Sequence, residues 1–152
     1  MRRFIVLIVT VSLIACESDV TPQRNNGINL TGLWAYSAPK LSEAGGSTCS
    51  RTGLALGLTQ ADTVLIGSTS GSTWDCVGPT GISTTGPRPS YQIRNGRVRG
   101  DSVWFDLETE DMHQVGTVHG DSMSGVATQL IRLSNPTRIV TLMGPFTAGR
   151  QP

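Results

Sequence analysis

Residues 90–109, SYQIRNGRVRGDSVWFDLET, decide the fold class because they hold a turn between two alternating segments. In the second segment Val103, Phe105 and Leu107 occupy every second position, with bulky or acidic residues between them. That period is typical of a β-strand with one buried side. Gly100–Asp101 separates the two segments and supplies the backbone angles of a tight turn. The stretch therefore predicts a β-hairpin.

The same pattern continues in both directions from this hairpin and predicts an all-β domain. Eight strands are expected at about 30–37, 48–59, 62–69, 90–99, 102–109, 112–119, 122–131 and 137–148. Tight turns around 60–62, 100–101 and 120–121 follow every second strand, so they share one end. Long Gly/Ser/Thr/Pro-rich loops at 38–47 and 70–89 share the opposite end. Such an antiparallel up-and-down meander can close into a small barrel, which removes exposed strand edges.

Two short motifs carry a resemblance to a known group of barrels. Gly32-Leu33-Trp34 resembles the G-x-W opening of lipocalin-like barrels, and Arg150 follows the last strand, where such barrels often place an arginine over that tryptophan. The length and the eight-strand meander are also similar to the avidin group. The resemblance covers residues 30–150 in pattern but only these few positions in motif. It implies a calycin-type fold and implies no function, because no residue set matches a biotin or retinoid site.

The N-terminus predicts export and a lipid anchor. Arg2-Arg3 precedes an apolar run, residues 4–14, which is shorter than the ~20 residues that span a bilayer. These features are typical of a secretory signal peptide. Leu13-Ile14-Ala15-Cys16 resembles the bacterial lipobox. The resemblance implies cleavage after Ala15, a diacylglyceryl group on the Cys16 thiol and acylation (for example by palmitate) of the new amine. Two or more acyl chains hold a protein stably at a membrane.

This signal divides the chain into three predicted parts. Residues 1–15 are the lipoprotein signal peptide, 16–29 a lipidated flexible tether, and 30–150 the barrel domain. After loss of Arg2 and Arg3 the mature chain carries 10 Lys+Arg and 11 Asp+Glu, so it is nearly neutral. That balance argues against nucleic-acid binding and against a polybasic membrane patch. We expect a bacterial envelope protein, held at the outer membrane and facing the periplasm in a two-membrane cell.

Cys49 and Cys76 are the two cysteines left in the mature chain. Export places them where disulfides persist, and both are expected at the loop end of the meander. A bridge between them would hold the 70–89 loop to the barrel. The competing interpretations are two free thiols, or a metal site that also uses His113 and His119. The spacing fits no zinc pattern, so a metal is not expected.

No motif predicts catalysis or a cofactor. Gly120-Asp121-Ser122 resembles the GDS block of a hydrolase group, but Gly100-Asp101-Ser102 repeats it, and two hairpin turns explain both copies. His113 and His119 are six residues apart on one strand, so they should face the same side too far apart to share a metal.

The inward positions predict a binding module. The barrel would take a small apolar ligand through its loop end, and the candidate contact residues are Leu54, Leu56, Val64, Ile66, Tyr91, Ile93, Val103, Phe105 and the loop residue Trp74. Alternatively, side chains fill the barrel, and Trp74 and residues 80–89 contact another envelope protein or an inhibited enzyme. In either case Trp74 could instead pack the loop onto the barrel, Trp34 should be core and Trp104 should face outward.

Overall fold

A computed structural model describes residues 27–43, 46–77, 85–107, 111–134 and 137–152. The described part is all-β. Its strands are β1 (Gly32–Ser42), β2 (Thr48–Ala61), β3 (Val64–Thr69), β4 (Ser72–Val77), β5 (Thr85–Arg88), β6 (Gln92–Arg99), β7 (Ser102–Leu107), β8 (Met112–His119), β9 (Ser122–Ser134) and β10 (Thr137–Arg150). The predicted signal peptide and residues 16–26 of the tether lie outside the described residues. Within the described ranges, no helix has the length and apolarity needed to cross a bilayer.

The strands form a closed antiparallel barrel, as predicted. The sheet order is β1-β10-β9-β8-β7-β6-β3-β2, and a further pairing of β1 with β2 closes the ring. β3 and β4 pair with successive parts of β2, and β5 and β6 lie end to end in the next position of the sheet. The ten strands therefore occupy eight strand positions around the barrel. The meander therefore has the predicted connectivity.

Two predicted loops are shorter than expected because the chain continues to pair. β1 extends to Ser42 instead of ending at 37. Half of the predicted 70–89 loop belongs to the paired strands β4 and β5. The 14-residue strand β2 explains this hairpin, because its first half offers backbone partners to β4 beyond the end of β3.

The tight turns share one end of the barrel, here called the floor. Asp62, Gly100 and Gly120 have φ values of 54, 62 and 59°, in the left-handed region that such turns require. The opposite end, here called the mouth, is where β1, β4, β7 and β9 end, whereas β3–β4 and β5–β6 join part-way along the barrel.

Trp34 closes the floor of the barrel. Its ring is fully buried, and its Nε1 donates a hydrogen bond of 2.9 Å to the carbonyl of Leu30. Arg150 is its register partner on β10 and places its guanidinium 4.5 Å from the ring centroid. The guanidinium also donates to Thr31 O at 2.7 Å and to Asp121 Oδ1 at 2.8 Å. These contacts fix the first and last strands to each other.

The prediction that Val64 and Ile66 face inward is wrong. They are 39% and 54% exposed, whereas Leu65 between them is fully buried. The segment 64–66 is apolar throughout, so alternation alone could not choose a face. The turn between β2 and β3 determines which side chains point inward. Ala61 pairs with Val64, and this register directs Leu65 into the barrel.

Candidate ligand site in the barrel

The site centres on a buried arginine in the mouth half of the barrel. Arg51 on β2 is 1% exposed, and its guanidinium carbon lies 5.1 Å from the ring centroid of Trp74 and 5.8 Å from that of Tyr91. Its Nη1 also contacts Met112 Sδ at 3.6 Å. Trp74 is the direct register partner of Arg51 on β4, so strand pairing sets the stacking. Both aromatic rings thus lie within cation–π distance of the guanidinium.

Burial acts on the charge of this arginine. It lowers the pKa of Arg51 from its ordinary value to about 10, an effect that the nearby Tyr36 and Tyr91 oppose and that Arg88 reinforces. The side chain is therefore still protonated at neutral pH. Arg88, on β5, is half-buried and is the register partner of the buried Ser72. Arg51 and Arg88 thus both contribute positive charge to the mouth half of the barrel interior.

Several buried polar atoms near this charge have no hydrogen-bond partner among the described residues. They include both amide atoms of Gln114, the hydroxyl of Tyr36 and Oγ of Ser72. Gln114 lies close enough to the Tyr36 hydroxyl to lower its pKa, but burial is the larger effect and raises that pKa. No well-formed hydrogen bond joins the Tyr36 hydroxyl to the Gln114 amide. An unsatisfied buried polar group costs ~1–3 kcal/mol, so a polar guest would stabilise this interior.

An aromatic layer lies next to the polar atoms. Tyr36 stacks on Phe146 with the ring centroids 5.4 Å apart, and Phe105 meets Phe146 edge-on at 6.4 Å. Gly116 makes room for this layer, because a Cβ there would lie 2.9 Å from the Phe146 ring and 2.4 Å from the carbonyl of Ser124. The barrel thus combines an apolar half that includes Trp34 with a half that carries polar side chains.

The structure brings two predicted contact residues to the arginine and separates others from it. Trp74 and Tyr91 flank Arg51, although Trp74 lies on a strand and is 3% exposed instead of being on an open loop. The remaining inward candidates are core residues, each at most 3% exposed: Leu54, Leu56, Ile93, Val103 and Phe105. Val64 and Ile66 lie on the outside. On the outer side of β3, Ile66 borders a shallow groove of about 540 Å³ that Thr59, Gln92 and Arg94 also line.

Sequence reasoning missed Arg51, because the alternation of β2 changes phase. Leu54, Leu56 and Leu58 are buried, so a regular strand would direct Arg51 outward. Gly53 has a φ of 73°, and the β1–β2 register shifts nearby. This bulge returns Arg51 to the inside. The signal available in the sequence was the glycine within an otherwise regular strand.

The predicted disulfide is present and lies at the mouth. Cys49 and Cys76 are direct register partners on β2 and β4, with their Cα atoms 4.0 Å apart. They lie two residues from the Arg51–Trp74 pair on the same two strands. The bond therefore helps to hold Trp74 against the arginine.

The two histidines are outward-facing strand residues on β8, both exposed on one side as predicted. His113 Nδ1 lies 2.7 Å from Asp106 Oδ1, and Asn95 donates to Asp106 Oδ2 at 2.7 Å. Within the described ranges, no group of three His, Cys, Asp or Glu side chains could bind a metal ion. The serines of both GDS triplets begin strands directly after hairpin turns, and Ser122 Oγ donates to His119 O at 2.9 Å.

Comparison with known proteins gives no relative. No family model matches the sequence, and no curated protein or solved structure is significantly similar to it. The function is therefore argued from the geometry of the barrel itself.

Proposed function

We propose that this chain is a lipid-anchored protein of the bacterial envelope, and that its calycin-like barrel binds a small amphipathic anion through the mouth. The observation that carries this proposal is the buried, charged Arg51, stacked between Trp74 and Tyr91. In this arrangement the guanidinium contacts the anionic group of the ligand. The apolar part of the ligand packs against the mouth ends of β9 and β10.

An anionic ligand fits better than the purely apolar ligand expected from the sequence. An apolar molecule would leave the Gln114 amide and the Ser72 hydroxyl without partners and would remove still more water from Arg51. A carboxylate or phosphate supplies acceptors and a compensating charge, and charge-assisted hydrogen bonds are the stronger class. Ile131 and Leu133, which pack against the core from the mouth end of β9, offer apolar contacts.

The alternative is a solid scaffold that binds another envelope protein through its loops. That hypothesis assigned the contact to Trp74 and residues 80–89. Trp74 is 3% exposed and its ring lies against Arg51, and residues 80–84 of the segment lie outside the described residues. Trp74 in this position supports the ligand-binding proposal over a loop contact.

The binding experiment compares two probes that differ only in charge, cis-parinaric acid and its methyl ester. Both are titrated against residues 27–152 with the disulfide formed, since every strand of the barrel lies within 32–150. The acid should bind about tenfold or more tightly than the ester, because a hydrogen bond to a charged group contributes ~1.5–3 kcal/mol.

Two variants separate the buried charge from general surface charge. Arg51→Met should remove the preference for the acid. Arg132→Met should keep it, since Arg132 is an exposed arginine paired with Asp111 at the mouth. Equal affinities for the acid and the ester in the native protein would refute the anionic site. Native mass spectrometry of the exported protein would then show whether a neutral molecule is retained.

The anchor has its own test. The lipobox-like residues Leu13–Cys16 support modification of Cys16, and trypsin would release the peptide 16–24. In the exported protein this peptide should carry a mass increment of a diacylglyceryl group and one acyl chain, and Cys16→Ser should abolish it. An unmodified peptide that begins at any other residue would contradict the proposal.

A further inference from the structure

The outer wall of the barrel carries a continuous band of outward-facing residues, of which Trp104 is half-buried and the others are exposed. Consecutive register pairs connect its members across six strands: Val64, Arg97, Trp104, Val115, Val126 and Pro145. Val115 and Val126 are 62% and 47% exposed and lie directly opposite each other. The adjacent row on the floor side is polar and includes Thr117 and Ser124, whereas the row on the mouth side includes Met143, which is 51% exposed. Large apolar side chains thus form a patch on this face of the barrel, which marks an interaction site.

Positive charge lies along the same face. Arg94, Arg97 and Arg99 are all exposed on β6, next to Val64 on one side and Trp104 on the other. Asp106 on β7 is the register partner of Arg94 and also contacts Asn95 and His113. The mature chain is nearly neutral overall, and the three arginines lie together because they fall within six residues of the sequence.

We propose that this outer band lies against a lipid surface that carries anionic headgroups. Arginine guanidiniums bind lipid phosphates, while a tryptophan and aliphatic side chains enter the boundary between headgroups and acyl chains. The band offers these groups side by side, and its charge selects an anionic surface over a neutral one. This inference uses the outside of the barrel and is independent of the ligand site inside it, but it rests on the proposed lipid anchor at Cys16.

The tether length allows this orientation. The described chain begins at Gly27 beside the floor, where Leu30 receives the hydrogen bond of Trp34. Residues 16–26 can span at most about 40 Å, which exceeds the diameter of a small barrel. A chain anchored at Cys16 can therefore lie on its side with the band against the membrane, and the mouth then stays accessible.

The experiment uses the full chain inserted in vesicles, so that every sample has the same anchor. The vesicles contain phosphatidylcholine alone or mixed with phosphatidylglycerol, each with and without acyl-chain bromine, which quenches tryptophan emission on contact. Trp34 and Trp74 are buried, so quenching should come from Trp104. We expect stronger quenching in anionic vesicles, reversal by salt, and loss of quenching in Trp104→Phe.

Two sets of substitutions test the charge and the apolar stripe separately. Replacing Arg94, Arg97 and Arg99 by glutamine should lower the ratio of docked to undocked barrel roughly 10- to 100-fold. Replacing Val115 and Val126 by serine should also reduce quenching. The matched control makes the same serine substitutions at Leu33 and Ile139, which are 57% exposed but lie outside the band. This control should leave the quenching unchanged.

Three outcomes would overturn the proposal. The first is equal quenching with and without anionic lipid, and the second is unchanged quenching in the triple glutamine variant. The third is cross-linking between copies through Trp104 and Val115 without any quenching, which would make the band a contact between two copies of the chain. Circular dichroism of each variant must match the native spectrum, and a variant that fails this check is replaced by the single substitution Arg97→Gln.

Discussion

Replacing the buried arginine by methionine should raise the stability of the barrel and remove the proposed preference for anions. The pKa of Arg51 falls from 12.5 to about 10. At ~1.36 kcal/mol for each tenfold change, this reflects a cost of about 3 kcal/mol for the buried charge. The contacts with Trp74 and Tyr91 offset ~1–2 kcal/mol of it. Methionine has a similar length and suits a site beside Met112, so Arg51→Met should gain about 1–2 kcal/mol. For a domain of this size that raises Tm by about 4–8 °C.

The stability gained by Arg51→Met should decrease as the pH rises. Because the pKa of Arg51 is lower in the folded than in the unfolded state, the unfolded chain binds more protons between about pH 10 and 12.5. The native protein therefore gains stability relative to Arg51→Met as the pH rises through this window. The advantage of the variant should be complete at about pH 8 and should decrease by about pH 11.

Urea unfolding followed by fluorescence measures both effects, and a second arginine provides the contrast. Arg150 has three side-chain hydrogen bonds and covers Trp34, so Arg150→Met should lose about 2 kcal/mol. Opposite signs for the same substitution would separate a strained charge from a satisfied one. A loss of more than about 1 kcal/mol in Arg51→Met would refute the reasoning, since the guanidinium would then stabilise the native barrel.

Two further predictions concern the framework. Reducing the Cys49–Cys76 bond should cost about 3–4 kcal/mol, because it opens a loop with a sequence separation of 27, and the urea midpoint with and without reductant measures this. No change in the midpoint would mean that β4 holds its place without the bond. Gly96→Ala should cost about 2 kcal/mol or more, since a Cβ would lie 2.0 Å from the carbonyl oxygen of Leu65. Gly86→Ala, with open space at the same atom, should stay within about 0.5 kcal/mol, and equal losses in both variants would contradict the steric explanation.

The fold was predictable because the turns and the alternation agree over most of the chain. Gly100 and Gly120 have the positive φ values expected from the sequence, and each joins two strands with clear alternation. The disulfide could be predicted from export and from the shared end of Cys49 and Cys76. The β4–β5 hairpin could not, because its Gly, Ser, Thr and Pro content is typical of a loop. β4 forms there because β2 is long enough to pair with it.

The centre of the candidate site was not predictable from alternation, because it depends on an irregularity. A single bulge residue at Gly53 reverses the face of every residue before it on β2. A charged side chain in that segment would ordinarily be assigned to solvent. Only the pairing of Arg51 with Trp74, itself set by the unexpected strand β4, shows that the charge is inside.

Two opposing free-energy contributions meet where β2 and β4 pair at the mouth. The disulfide contributes about 3–4 kcal/mol to the β2–β4 pair, and the buried charge of Arg51 costs about 3 kcal/mol in the same place. The contacts with Trp74 and Tyr91 offset ~1–2 kcal/mol of this cost, so the disulfide contributes more to the strand pair than the buried charge removes. A barrel that needed only stability would have an apolar residue at position 51, because Arg51→Met is expected to raise the stability. Under the proposed function, the anionic group of a ligand compensates this charge, as the acid and ester titration tests.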